Sequence, residues 1–255
     1  MTGRIRLDRE GAVARLVIDQ PARRNAMTRA MWQALPALVA EAAADDGVAL
    51  LRLEGEGAHF CGGADIAEFA ETYATAETTA AANAAIAAAV DAIATFPKPA
   101  IATIRGACVG GGVALALACD LRIATAEARF AVTPAKLGLI YSHGDTLRLM
   151  RAVGAPMARD LLFTGRLIEA SEALRIGLVQ RLATAEDQDA ACAALATTSR
   201  PALRAIKAMI GAIEGGATAE TPGLAALFQD AFAGADFREG YDAFLAKRPP
   251  AFRAR

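Results

Sequence analysis

Excess charge, metal-spaced cysteines and long unbroken apolar runs are all missing from this sequence. Its 27 Lys and Arg nearly balance 28 Asp and Glu, leaving a net charge of −1. Nucleic-acid binding needs a basic face, so that class is disfavoured. The four cysteines, Cys61, Cys108, Cys119 and Cys192, show no paired ligand spacing. They read as thiols, three of them in or beside apolar runs, and no metal is expected. Met1-Thr2-Gly3-Arg4-Ile5 carries no apolar signal region. The alanine-rich stretch Ala80–Ala94 is broken by Asn83 and Asp91 and is too polar to span a bilayer. No membrane partner is expected, and a reducing cytoplasm is the expected compartment. The glycine spacing lacks the dinucleotide fingerprint with an acidic residue about twenty positions on, which disfavours a redox nucleotide-binding protein. The hydrophobic fraction of 55% is high mainly because alanine inflates it.

What is present is two glycine clusters, each closing an apolar run. Val48–Leu53 leads into His59-Phe60-Cys61-Gly62-Gly63-Ala64-Asp65-Ile66, and Pro99–Ile104 leads into Cys108-Val109-Gly110-Gly111-Gly112-Val113. Three consecutive glycines at a strand-to-helix junction cost backbone entropy. Close approach of main-chain N–H groups to a bound group compensates. A helix N-terminus supplies unpaired donors and a favourable dipole for negative charge. One N–H from each turn, converging on one oxygen, makes an oxyanion hole.

The surrounding pattern alternates strand and helix. Ile5–Leu7 and Val13–Ile18 read as a hairpin around Arg9-Glu10-Gly11. Thr28 caps a helix to about Ala44, interrupted or bent near Pro36. A helix Thr75–Thr95, a strand Leu121–Ala124 and a short strand near Val179–Leu182 follow. Pro201 opens Ala202–Glu214, Ile213–Ala217 reads as a linker, and Leu224–Leu245 as closing helices. This βαβ order predicts parallel strands flanked by helices, an α/β protein.

Phe60–Ile66 together with Gly106–Asp120 resembles the crotonase (enoyl-CoA hydratase/isomerase) superfamily. Arg23-Arg24-Asn25-Ala26-Met27, Phe96-Pro97-Lys98-Pro99, Phe130–Leu139, Leu161–Gly165, Ala173–Val179 and Phe244–Phe252 extend the likeness over nearly the whole chain. The resemblance implies a spiral core of ββα turns over residues 1–197 that binds acyl-CoA. It also implies a C-terminal helical extension, 198–255, that serves trimerisation, with trimers or paired trimers (hexamers) as the assembly. The late aromatics Phe228, Phe232, Phe237, Tyr241, Phe244 and Phe252 fit such an interface. No cofactor is implied beyond the coenzyme A carried by the substrate.

The resemblance assigns the two oxyanion donors to the backbones of Gly62 and Gly111. It places substrate contacts at Arg23, Arg24, Ala26, Gly62, Ala64, Asp65, Ile66, Gly111 and Lys247, with the arginines and Lys247 facing CoA phosphates. It also exposes a gap. Hydratases of the superfamily carry one glutamate just after the glycine triplet and one after the proline of the Thr-Pro block. This chain has Ala114 and Ala135 there, and alanine moves no proton. The polar stretch Tyr141-Ser142-His143-Gly144-Asp145-Thr146 offers replacements. Tyr141 falls where methylmalonyl-CoA-decarboxylating relatives carry a functional tyrosine. Those relatives, however, have a histidine at the Ala64 position and keep the glutamate at Ala114. Asp145 with Thr146 also reads as a helix N-cap pair, and His143 as a loop histidine. Asp65 reads as a brace for the first turn, Glu68 as a solvated carboxylate, and His59 as a structural neighbour. Two functions stay open: an enolate-stabilising isomerase, decarboxylase or atypical lyase using Tyr141 and Asp145, or a catalytically silent acyl-CoA-binding subunit.

Overall fold

The computed structural model describes residues 3–252. The chain opens with a hairpin of β1 (Arg4–Glu10) and β2 (Val13–Asp19), paired antiparallel with Glu10 opposite Val13. Helix α1 (Arg29–Ala44) follows, capped by Thr28, whose hydroxyl accepts the Met31 N–H. Such a cap is worth about 1 kcal/mol. Pro36 lies inside α1 without ending it. The ring removes one helical hydrogen bond, but the buried side chains Met31, Trp32, Leu35 and Val39 on either side hold both halves to the core. The expected interruption there is absent.

Next come β3 (Leu50–Gly55), the short α2 (Phe69–Thr72), α3 (Ala76–Ala94), β4 (Ala100–Ile104), β5 (Ala107–Val109), α4 (Gly111–Ala118), β6 (Leu121–Ala124) and β7 (Arg129–Ala131). Helices α5 (His143–Val153) and α6 (Ala155–Thr164) precede β8 (Ile168–Glu169), α7 (Ala170–Arg175), β9 (Arg181–Leu182) and α8 (Ala185–Ala196). The chain closes with α9 (Arg200–Glu214), α10 (Pro222–Ala233) and α11 (Ala235–Leu245). The linker expected at Ile213–Ala217 falls where α9 ends and the chain turns toward α10.

Two sheets organise these elements. The larger runs β1-β2-β3-β4-β6-β9 and is parallel from β2 onward; the smaller runs β5-β7-β8. Each turn of the chain visits the large sheet, then the small one, then a helix. β4-β5-α4 is one such turn, and β6-β7 with the helices after it is another. The first turn follows the same rule in reduced form. After β3, Cys61 makes an isolated parallel bridge to Cys108, which in turn pairs with Phe130, and Phe130 with Ile168. This row of four residues is buried and crosses all the turns.

The core is apolar with a few satisfied polar groups. β3 is buried throughout, as a central parallel strand should be. Arg52 within it donates to Thr103 Oγ1 at 3.0 Å and pairs with Glu54 at 2.9 Å, so its charge is not left bare. Lys98 Nζ donates to the carbonyls of Ala42 and Asp45, tying the end of α1 to the entry of β4. Lys207 of α9 bonds Asp120 at 2.7 Å and the Lys98 carbonyl at 3.0 Å, seating the last helices on the core. Among the described residues no helix is long and apolar enough to cross a membrane.

All four cysteines are free and buried. Burial pushes the thiols of Cys61 and Cys119 up to about 12 and that of Cys192 to about 11, from an ordinary 9.0. Below pH 9 folded and unfolded thiols are both protonated, and this contribution to stability is fully present. It is lost as pH rises toward 12, because the unfolded thiols ionise first. At pH 8 a disulfide reagent is therefore expected to label no thiol in the folded chain and four after denaturation. Rapid labelling of any thiol in the native protein would contradict this burial.

Candidate oxyanion site and acyl cleft

The row Cys61–Cys108 sets the site. Because these two residues bridge in parallel, the segments that follow leave the small sheet side by side. Hydrogen bonds thread the first segment between its neighbours. Cys61 N–H donates to Ala107 O and Val109 N–H donates to Cys61 O, both at 2.9 Å. Gly62 N–H donates to Arg24 O at 2.8 Å, Met27 N–H to Gly63 O at 2.7 Å, and Asp65 N–H to Met27 O at 2.9 Å.

This accounting corrects the expected donor pair. Gly62 is already committed to Arg24, so its N–H is not available to a ligand. The reason lies in the turn before α1. Arg24 and Asn25 both adopt left-handed backbone, with φ of 53° and 57°. The fully buried Asn25 side chain accepts from Gln20 N–H at 2.9 Å and donates to the carbonyls of Glu56 and His59 at 2.9 and 2.6 Å. So fixed, the turn aims the Arg24 carbonyl at Gly62. Asn is among the residues that tolerate this conformation, which was the one signal in the sequence for it.

Ala64, not Gly62, faces Gly111. A Cβ built on Gly111 would stand 3.7 Å from Ala64 N, and one built on Gly63 would stand 3.6 Å from Gly111 N. Each donor lies three residues past its bridge cysteine, Ala64 after Cys61 and Gly111 after Cys108. Among the described residues neither N–H donates to a protein acceptor. Gly111 opens α4, so its N–H lacks an intrahelical partner by construction. Glycine is required around this pair. Gly63 has φ +101°, Gly110 has φ +53°, and a Cβ on Gly112 would meet the Cys61 carbonyl oxygen at 2.4 Å.

Beside Ala64 a shallow, open cleft lies between α1, α2 and α3, and its enclosed volume is about 20 Å³. Met27, Trp32, Ala64, Phe69, Ala82 and Ile86 line it, with Asp65 and Glu68 among them. Asp65 caps the turn Ile66–Glu68 by accepting Ala67 N–H at 3.2 Å, and it pairs with Arg23 at 2.7 Å. Glu68 Oε2 accepts Arg29 N–H at 2.6 Å, so it holds the start of α1 instead of standing solvated.

Comparison with known proteins agrees with this architecture. The profile of the family described as Enoyl-CoA hydratase/isomerase matches residues 8–255. The chain belongs to the enoyl-CoA hydratase/isomerase family. It is 37% identical over 251 residues to a Thermus thermophilus protein named "Putative enoyl-CoA hydratase", covering 95% of this chain and 98% of that one. A crystal structure of "a Putative enoyl-CoA hydratase/isomerase family protein" from Hyphomonas neptunium superposes with TM-score 0.94 at 48% identity, covering 98% of each chain. An "enoyl-CoA hydratase/ carnithine racemase" from Magnetospirillum magneticum superposes with TM-score 0.92 at 33% identity, covering 98% of this chain and 96% of that one. The crotonase-type α/β fold is thereby shown.

In this family member the other expected site residues divide. Arg24 is exposed, and no acidic side chain pairs with it among the described residues. Arg23 is drawn to Asp65. The Ala26 carbonyl accepts from Gln20 Nε2 at 2.7 Å. Ile66 is 62% exposed next to the cleft. Lys247 is exposed beyond α11, and none of the described hydrogen bonds or ion pairs ties it to the cleft. Ala114 is buried within α4, whereas Ala135 is exposed on the turn Pro134–Leu137.

The proposed acid/base pair is placed differently from a catalytic dyad. Tyr141 OH donates to the Gly110 carbonyl at 3.2 Å, and burial holds its phenol well above the usual range. Asp145 is buried, receives Ser142 Oγ at 2.6 Å and pairs with Arg148 at 3.3 Å. The cap of α5 is Ser142, which accepts Asp145 N–H; the expected Asp145–Thr146 cap is thus displaced by three residues. Neither Tyr141 nor Asp145 borders the cleft. Exposed His143 starts α5, and His59 Nδ1 accepts Ala107 N–H at 3.2 Å, a structural role. Tyr141→Phe should cost about 1 kcal/mol in a denaturant titration, the worth of one hydrogen bond. It should lower turnover far less than the ~10²-fold or more expected on losing a positioned acid or base. A larger loss would return Tyr141 to the chemistry.

Proposed function

We infer that the chain binds acyl-CoA thioesters and polarises the thioester carbonyl between the N–H groups of Ala64 and Gly111. The single observation that carries this reading is that two backbone donors, one at a helix start, stand together without protein acceptors beside an apolar cleft. Donors fixed in place strengthen as negative charge gathers on the oxygen, so they favour the enolate over the ground-state thioester. The dipole of α4 adds to this. Exposed Arg24 supplies a cation for the CoA phosphates. Lys247, with no tie to this cleft, contributes only if assembly brings it to a neighbour's site.

Hydration is the weak half of the family's chemistry here. Ala114 and Ala135 carry no proton, and Tyr141 and Asp145 are held in the scaffold. That immobility favours the second reading, an acyl-CoA-binding subunit with little turnover of its own. Isomerase or decarboxylase chemistry then needs an acid or base other than these two. Crotonyl-CoA hydration by the wild type is expected to be slow or absent. Ala114→Glu combined with Ala135→Glu should raise it, with circular dichroism confirming the fold. Exchange of the α-proton of butyryl-CoA into deuterated water reads the enolate step separately. Wild-type hydration faster than that of the double-glutamate variant would overturn the argument from the alanines.

The last helices serve assembly in this reading. Phe228, Phe232, Phe237 and Tyr241 form a continuous aromatic row, with successive ring centroids 5.3, 5.6 and 6.4 Å apart. These rings are 47–60% exposed, and Phe244 nearby is 80% exposed. Such a surface calls for burial. A trimer, or a hexamer of paired trimers, is the expected mass in light scattering, and a monomer at working concentration would refute it. Reduced thiols are stable in the cytoplasm, the proposed location.

A further inference from the structure

The Gly111 N–H and the Gly110 carbonyl belong to one peptide group. In a trans peptide the two point in opposite directions. Whatever grips the carbonyl therefore aims the N–H. The grip matters because this peptide lies between two glycines. Gly110 has φ 53° and ψ −112°, a conformation that residues with a Cβ rarely adopt. No side chain on either residue resists rotation of the peptide between them. A flip would put the carbonyl oxygen where the N–H now is, and an oxyanion would be repelled.

Three bonds hold the Gly110 carbonyl. Val113 N–H donates to it at 3.0 Å and Ala114 N–H at 3.2 Å. Both come from the first turn of α4 itself, a helix of eight residues, and helix ends fray. The third comes from outside the helix, from Tyr141 OH at 3.2 Å, 31 residues further along the chain. Tyr141 packs against the core just before the cap of α5. That end of α5 is fixed in turn, since Ser142 bonds Asp145, and Arg148 pairs with Asp145 and with Asp91 of α3. The hydroxyl thus reaches the carbonyl from a support independent of α4.

Such a bond does more than aim. A donor at the carbonyl oxygen draws electron density through the amide and leaves the N–H more positive. Hydrogen bonds joined in a chain strengthen one another by about 10–30% each. The Tyr141 hydroxyl, the Gly110–Gly111 peptide and an oxygen bound at Gly111 make a chain of this kind. Burial pushes the phenol well above its ordinary range, so at neutral pH the hydroxyl keeps the proton it donates.

We propose that Tyr141 is a positioning residue for the oxyanion site: its hydroxyl, bonded to the Gly110 carbonyl, both orients and strengthens the Gly111 N–H donor. It moves no proton and touches no substrate. The inference rests on reading the Gly111 N–H as an oxyanion donor. Losing one such donor outright costs about 10²–10³-fold in rate. A share of about 10–30% of that effect sets the loss of enolate-forming turnover in Tyr141→Phe at about two- to eightfold.

The test reads the donor directly. Butyryl-CoA labelled with ¹³C at the thioester carbonyl is bound to the full chain, and the carbonyl stretch is followed by difference infrared spectroscopy. The wild type is compared with Tyr141→Phe and with chains carrying 3-fluorotyrosine or 3,5-difluorotyrosine at position 141. Fluorine makes the phenol a stronger donor and leaves the hydroxyl in place. The stretch should rise in frequency in Tyr141→Phe and fall along the fluorinated series. In the ligand-free chain, labelled with ¹³C,¹⁵N-glycine, the Gly111 amide proton should move upfield in Tyr141→Phe and downfield along the same series. The fluorinated chains keep the test decisive if Tyr141→Phe does not fold. A stretch that ignores the fluorinated series, or an unmoved Gly111 amide, would show that Tyr141 only fills space, and would overturn the proposal while leaving acyl-CoA binding intact. If butyryl-CoA does not bind at all, the acyl-CoA reading falls, and the Gly111 amide alone decides for or against Tyr141.

Discussion

The site depends on which backbone N–H groups the fold has already used. Around the Cys61–Cys108 bridge, five successive hydrogen bonds pin the segment from Cys61 to Asp65 between the Arg24–Met27 turn and the Ala107–Val109 strand. Every donor satisfied in this way is lost to a ligand. What is left over is the pair of N–H groups of Ala64 and Gly111, on which the proposed site rests.

The neighbouring packing protects that arrangement. Gly112 lets α4 lie against the Cys61 carbonyl, where any side chain would collide. Tyr141 holds the Gly110 carbonyl and so fixes the peptide that presents the Gly111 N–H. The Ser142–Asp145–Arg148 cluster anchors the start of α5, from which Tyr141 reaches in. Tyr141 and Asp145, residue types able to move protons, are here both engaged by the scaffold. A phenol whose ionisation is suppressed by burial is a better brace than a base.

In the proposed reading the N–H groups of Ala64 and Gly111 face the part that all thioesters share, the carbonyl, and the cleft between α1 and α3 faces the part that differs. Such a division suits a superfamily in which one fold serves many chemistries, since function resides in the site grafted on the scaffold.

By itself the sequence determined the strands of the large sheet, though not β5, β7 and β8 of the small one, together with the two glycine turns, the Thr28 cap and the family. Each is written in local pattern: apolar runs, glycine where no side chain fits, a hydroxyl before a helix. It also fixes that Ala114 and Ala135 cannot titrate in any fold. Only the tertiary structure decided which N–H faces Gly111. The linear reading places the donor at Gly62, and a carbonyl from Arg24, 38 positions earlier, takes that N–H and leaves the one of Ala64. It likewise decided that Tyr141 bonds the Gly110 carbonyl, that Asp145 bonds Ser142 and Arg148, that Arg23 pairs with Asp65, and that Trp32 lies against Gly111. These are contacts between distant segments, and no local period records which partner a donor will meet.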